Sequence, residues 1–178
     1  MDKYSDQIIE RAKKIKLVAV DVDGVLTDGK LFYNSRGEEF KNFDVKDGLG
    51  MILLRYVGFT TVIVTARASK LVIKRAKELK INKVYQNFHD KIHALDKIQK
   101  KFKVKKEQIC FIGDDIIDVP ILKRVGLAVC PFNAIKEVKD FVHFVSDKNG
   151  GCGVIREICD LILKAQNKWG KIEKRYFS

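Results

Sequence analysis

At 178 residues, with 46% hydrophobic and 33% charged side chains, the chain is sized for one globular domain built on a single core. No apolar run approaches the roughly 20 residues that a membrane-spanning helix needs. Four cysteines without a Cys-x-x-Cys pair, beside only three histidines, argue against zinc and for reduced, mostly buried thiols.

The charged, amphipathic start predicts a helix over residues 5–15. It lacks the apolar segment of a secretory signal, so a cytoplasmic location is expected. A strand over 17–22 follows, then a β-hairpin inserted at about 29–43, with Ser35-Arg36-Gly37 as its turn and Gly37 at positive φ. Beyond it the pattern predicts a helix over 48–57, strand 60–65, helix 68–79, a short strand at 84–85 and helix 90–102. Strand 108–113, helix 116–124, strand 127–130, helix 133–139, a brief strand at 142–145 and helix 153–167 complete the set. Residues 170–178 are expected as a flexible tail, with Lys171, Lys174 and Arg175 able to reach a neighbouring subunit's site. Alternating β and α units, with strand runs apolar on both faces, define an α/β doubly wound parallel sheet covered by helices. No repeat, low-complexity segment or proline-rich linker interrupts a single domain over 1–178.

Ligands of such sheets bind beyond the carboxyl ends of the strands. The first strand ends there in an anomaly, "KLVAVDVDGVLTDG", with Asp21 and Asp23 one residue apart. In extended backbone both side chains leave the same side, and two charges about 4 Å apart repel by roughly 4 kcal/mol at an effective dielectric near 20. Such a pair calls for a cation, a shared proton or a strong donor. At the ends of the other strands stand Thr65 and Gly113-Asp114-Asp115, and Lys91 opens the helix after the short strand. Carboxylates without Cys or His suit Mg²⁺ and a phosphate ligand. In this set Asp21 can attack phosphorus, Lys91 and Thr65 can steady the phosphoryl oxygens, and Asp23 can give and later take the proton. Thr65 and Lys91 precede the second acidic cluster, which is not the order of a receiver domain, and no G-x-x-x-x-G-K-[ST] loop occurs.

"DVDGVLTDG", "VIVTAR", Lys91 and "GDDIIDVP" resemble the four motifs of the haloacid dehalogenase superfamily in its phosphatase branch. The resemblance makes Asp21 the nucleophile and a metal ligand, and Asp23 the acid/base with its backbone carbonyl on the metal. It makes Asp114 a further ligand and Asp118 a support of the metal's water shell, with Asp115 helping. Along nearly the whole chain, "FDVKDGLGMILL", "VTARASKLVIKRAKELKI", "VYQNFHDKIHAL" and "GGCGVIREICDLIL" are similar to the 3-deoxy-D-manno-octulosonate 8-phosphate phosphatase family of lipopolysaccharide sugar synthesis. That implies a small hairpin in place of a cap domain and a homotetramer. It also implies a phosphorylated sugar acid bound by Asp23, Lys91, Lys46, Asp47, Gly48, Arg67, Arg75 and Arg156. Arg67 can hold a carboxylate bidentately; for Lys46, Arg75 and Arg156 the plainer reading is a surface charge. Ala66, Ile52 and Cys152 depart from the family pattern.

Two other readings stand beside this one: a phosphatase for a nine-carbon sialic-type acid phosphate, and a non-catalytic or nucleic-acid-binding module using the net charge of +12. Retention of Asp21, Asp23, Lys91 and Asp114 argues against a non-catalytic module. The lysines are spread along helical stretches, without a basic channel lined by aromatics, so they read as a solvated face and no nucleic-acid partner is expected.

Overall fold

The structure is a computed structural model that describes residue 1 and residues 3–177. Its centre is a six-stranded, wholly parallel sheet formed by β1 (Leu17–Val20), β4 (Thr60–Val64), β5 (Lys83–Tyr85), β6 (Ile109–Ile112), β7 (Leu127–Cys130) and β8 (Phe144–Val145). The spatial order is β5-β4-β1-β6-β7-β8. The chain leaves β1 toward β4 and β5, then crosses to β6 and continues the other way, so the order reverses between β1 and β6. That is where such a sheet opens a crevice.

Strand periodicity sends alternate residues to opposite faces, and each face carries its own core. Val18 and Val20 pack with helices α1 (Asp6–Lys14), α2 (Val45–Tyr56) and α7 (Val154–Ala165). Leu17 and Ala19 face α4 (Lys91–Phe102), α5 (Val119–Leu122) and α6 (Lys136–Lys139). Helix α3 (Lys70–Glu78) adds Val72 and Ala76 to the first core.

Several boundaries differ from the sequence-based expectation, each for a local reason. Strand β1 stops at Val20, because the Val22 carbonyl accepts from the amides of Val25 and Thr27 and closes a turn in which Gly24 takes φ +90°. Asp21 and Asp23 therefore do not share one face of an extended strand. Helix α2 starts at Val45, since the Asp44 carboxylate caps it by accepting from the Asp47 amide. The stretch expected as helix 116–124 is a 3₁₀ turn over Ile116–Asp118 and then α5, which has Pro120 in its first turn. Residues 133–139 and 142–145 shorten to α6 and β8. The expected tail is, as far as Tyr176, helix α8 (Trp169–Tyr176), with Ile172 buried and the Arg175 guanidinium 4.3 Å from the Tyr56 ring centre; Ser178 lies outside the described residues.

The expected hairpin is present. Strand β2 (Phe32–Tyr33) pairs antiparallel with β3 (Glu39–Phe40), and the Asn34 side chain accepts from the amides of Arg36 and Glu38 while Gly37 takes φ +75°. Among the described residues no helix is long and apolar enough to cross a membrane.

Candidate active site

Register brings the polar residues together. Val20 pairs with Ile63 of β4 and Ile112 of β6, so the residues that follow these strands, Asp21, Thr65 and Gly113-Asp114, emerge at the same edge. The Asp21 amide donates to the Ile112 carbonyl and extends this alignment one residue beyond β1. Lys91 enters from the first position of α4, whose amino end is capped by Asp90 accepting from Ile92.

At the centre, the Lys91 ammonium is fully buried between two carboxylates, 3.1 Å from Asp21 Oδ2 and in hydrogen-bond contact with Asp118 Oδ1. Asp118 Oδ2 accepts from the amides of Asp114 and Asp115, so both of its oxygens are occupied. Asp21 and Asp114 differ, because each keeps a buried Oδ1 without a hydrogen-bond partner. One oxygen from each of Asp21, Asp114 and Asp118 fits within 4.8 Å. A hard divalent cation suits such a cluster, since it supplies the charge that the two orphaned oxygens lack. Gly24 leaves the space that Asp114 fills: a Cβ there would lie 2.0 Å from Asp114 Oδ2.

Electrostatics point the same way. Burial, opposed by Lys91, raises Asp21 above the ordinary carboxylate range. Burial, together with the charges of Asp21 and Asp118, raises Asp114 to about 8. Burial pulls the Lys91 ammonium down, but Asp21 and Asp118 outweigh it, and the net shift is upward. A carboxylate raised on folding stabilises the fold most below its ordinary value of 3.8, and that contribution is lost as pH rises through about 8. Metal-free protein is thus expected to lose stability between about pH 5 and about pH 8, and Mg²⁺ to restore it at the upper end. Thermal unfolding with chelator or with Mg²⁺ at both pH values tests this; a midpoint at the higher pH that ignores Mg²⁺ would remove the cluster as a metal site.

The remaining predicted residues divide. Thr65 is buried, and its Oγ1 accepts from the Arg67 amide. Arg67 stands at the rim, its Nη2 donating to Tyr33 Oη and Glu39 Oε1 of the hairpin and its Nε 3.8 Å from Asp23 Oδ2. Asp23 is held by Lys41, a hairpin lysine that no pattern in the sequence singles out. Asp115 caps the 3₁₀ turn by accepting from Ile116. Lys46 is exposed on the first turn of α2. Asp47 is buried, and its carboxylate accepts from the amides of Gly153 and Arg156, capping α7. Gly48 gives Arg75 room, since a Cβ there would lie 2.4 Å from Arg75 Nη2. Arg75 itself pairs with Glu78, and Arg156 with Asp160 of its own helix. A cleft of about 390 Å³ between α2, α3 and α8 lies elsewhere, lined by residues such as Ile52, Tyr56 and Glu78.

The cap made by Asp47 carries its own expectation. Asp47→Asn sets an amide against two backbone donors and should cost about 1–3 kcal/mol in urea unfolding. Unchanged stability would return Asp47 to ligand binding alone.

Taken together, a buried carboxylate beside a buried lysine, a threonine and an orphaned acidic pair, all at the switch point of a doubly wound sheet, define a metal-dependent phosphate-ester hydrolase. The model of the haloacid dehalogenase-like hydrolase family matches residues 73–158. The 3-deoxy-D-manno-octulosonate 8-phosphate phosphatase of Yersinia pestis is 40% identical over 164 residues, 92% of this chain and 88% of that protein. Its Escherichia coli K12 counterpart is 37% identical, covering 92% and 87%. A crystal structure of the phosphatase of that name from Moraxella catarrhalis, in complex with a magnesium ion, a phosphate ion and a KDO molecule, superposes with a TM-score of 0.94 at 39% identity, covering 97% of this chain and 99% of that one. This chain belongs to the haloacid dehalogenase-like hydrolases, among the phosphatases of the 3-deoxy-D-manno-octulosonate 8-phosphate phosphatase family.

Proposed function

We propose that the protein hydrolyses 3-deoxy-D-manno-octulosonate 8-phosphate to the free sugar acid and inorganic phosphate, in the cytoplasm, as a step toward lipopolysaccharide. The buried Asp21–Lys91 pair with its unpartnered Asp21 Oδ1 carries this reading, supported by the family and by the ligands of the Moraxella enzyme.

Asp21 attacks phosphorus, the ester P–O bond breaks, and the leaving oxygen takes a proton from Asp23. The resulting aspartyl-phosphate on Asp21 is attacked by water, whose proton passes to Asp23 as the P–O bond to Asp21 breaks. Lys91 and Thr65 hold the phosphoryl oxygens; Asp118 keeps Lys91 aimed at Asp21. Asp21, Asp114 and the Asp23 backbone carbonyl, with Asp118 behind them, would hold Mg²⁺, which would supply positive charge against that gathering on the phosphoryl group. At the rim Arg67 exchanges its hairpin partners, Tyr33 and Glu39, for the substrate carboxylate, with Lys46 and Arg75 further along the sugar path. The exposed Phe32, Tyr33 and Phe40 of the hairpin support association into a homotetramer.

Phosphate release from this substrate, with and without Mg²⁺ and beside a nine-carbon acid 9-phosphate, tests the proposal. Fast, Mg²⁺-dependent release that prefers the eight-carbon acid is expected; a preference for the nine-carbon acid would overturn the substrate.

A further inference from the structure

We propose that Lys41 is a positioning residue for the second half of the reaction, holding the Asp23 carboxylate where it takes the proton of the hydrolytic water. The inference rests on Asp23 being the proton-transfer group.

Lys41 directly follows β3, yet its side chain is only 1% exposed, a burial that lysine adopts when it is paired. Its ammonium contacts Asp23 Oδ1 and lies 3.3 Å from Glu39 Oε1. Arg67 closes the circuit, 3.1 Å from the same Glu39 oxygen and 3.8 Å from Asp23 Oδ2. Two cations and two anions thus alternate in a ring, and the Ser69 hydroxyl, donating to Glu39 Oε2 at 2.7 Å, ties the ring to the start of α3.

The members are unequal. Arg67 is 40% exposed and can turn toward a ligand, whereas Lys41 has almost no surface to offer one. Lys41 therefore acts on the reaction through Asp23. Asp23 is 22% exposed, and Lys41 grips one of its oxygens while Oδ2 has only the longer approach of Arg67. Gripping Oδ1 stops the carboxylate from turning and leaves Oδ2 to accept. In that step the water oxygen bonds to phosphorus, the electron pair of the breaking P–O bond returns to Asp21, and the water proton goes to Asp23 Oδ2. Poor placement of a base at such a step commonly costs about 10²-fold.

p-Nitrophenyl phosphate separates the two halves, because its leaving group departs without a proton. In Lys41→Met, phosphoenzyme formation should proceed normally and its hydrolysis should stall. The expected result is a burst of p-nitrophenol, kcat lowered at least about tenfold, and KM lowered with it so that kcat/KM stays within about threefold. Lys41→Arg should recover most of the turnover. A parallel fall of kcat and kcat/KM, or no change in either, would overturn the proposal. Lys41→Gln, checked by thermal unfolding, substitutes if the Met variant does not fold. Asp23→Asn is run alongside: if it shows the burst and the Lys41 variants do not, the positioning role alone falls; if it shows none, the proton-transfer role of Asp23 falls and this inference with it.

Discussion

Asp21→Asn should lower turnover by about 10⁴-fold or more while the protein stays folded. The side chain keeps its size at the end of β1, and Lys91 keeps the Asp118 carboxylate, so the core around β1 has no reason to open. What disappears is the carboxylate's negative charge: the group we propose as nucleophile is lost, and the cluster of orphaned oxygens pulls less strongly on a cation. Phosphate release and thermal unfolding measured on the same preparation separate these effects. Residual activity within about 100-fold of the wild type would place the nucleophile elsewhere.

Lys91→Met should be the most damaging single change to stability. It preserves much of the apolar stem but removes the ammonium between Asp21 and Asp118, leaving two buried carboxylates facing each other and Asp114 nearby. Breaking a buried pair by deleting one partner costs about 3–5 kcal/mol. The sign with pH is fixed: without Lys91 the carboxylates are still harder to ionise, so the stability lost in metal-free protein should grow as pH rises from about 5 to about 8. Urea unfolding at the two values checks this, and an equal loss at both would assign the effect to packing instead of charge.

Both of these residues are legible in the sequence alone. A strand apolar on both faces that runs into carboxylates is a local pattern, and strand ends at one edge of a parallel sheet converge by construction, so Asp21, Thr65, Lys91 and Asp114 fall into one group from their places in the chain. The expectation that Asp21 and Asp23 share one strand face fails, because the turn after Val20 sends Asp21 to Lys91 and Asp23 to Lys41. Asp47 reads in sequence as a charge beside a glycine; its partners, the amides of Gly153 and Arg156, lie more than a hundred residues away. Arg75 and Arg156 carry no mark in the sequence that separates a surface charge from a ligand contact.

By itself, the sequence determined the class of sheet, the carboxylate chemistry and the edge at which it gathers, since strand period, buried apolar runs and hard oxygen donors are all local properties of the chain. Only the tertiary structure decided which cation faces which carboxylate. That choice depends on the hairpin folding back over the crevice to bring Lys41 and Glu39 against Asp23 and Arg67, and on α7 docking so that its first amides need Asp47. Charges find their partners through space, and in a buried site a charge left without its partner costs about 3–5 kcal/mol.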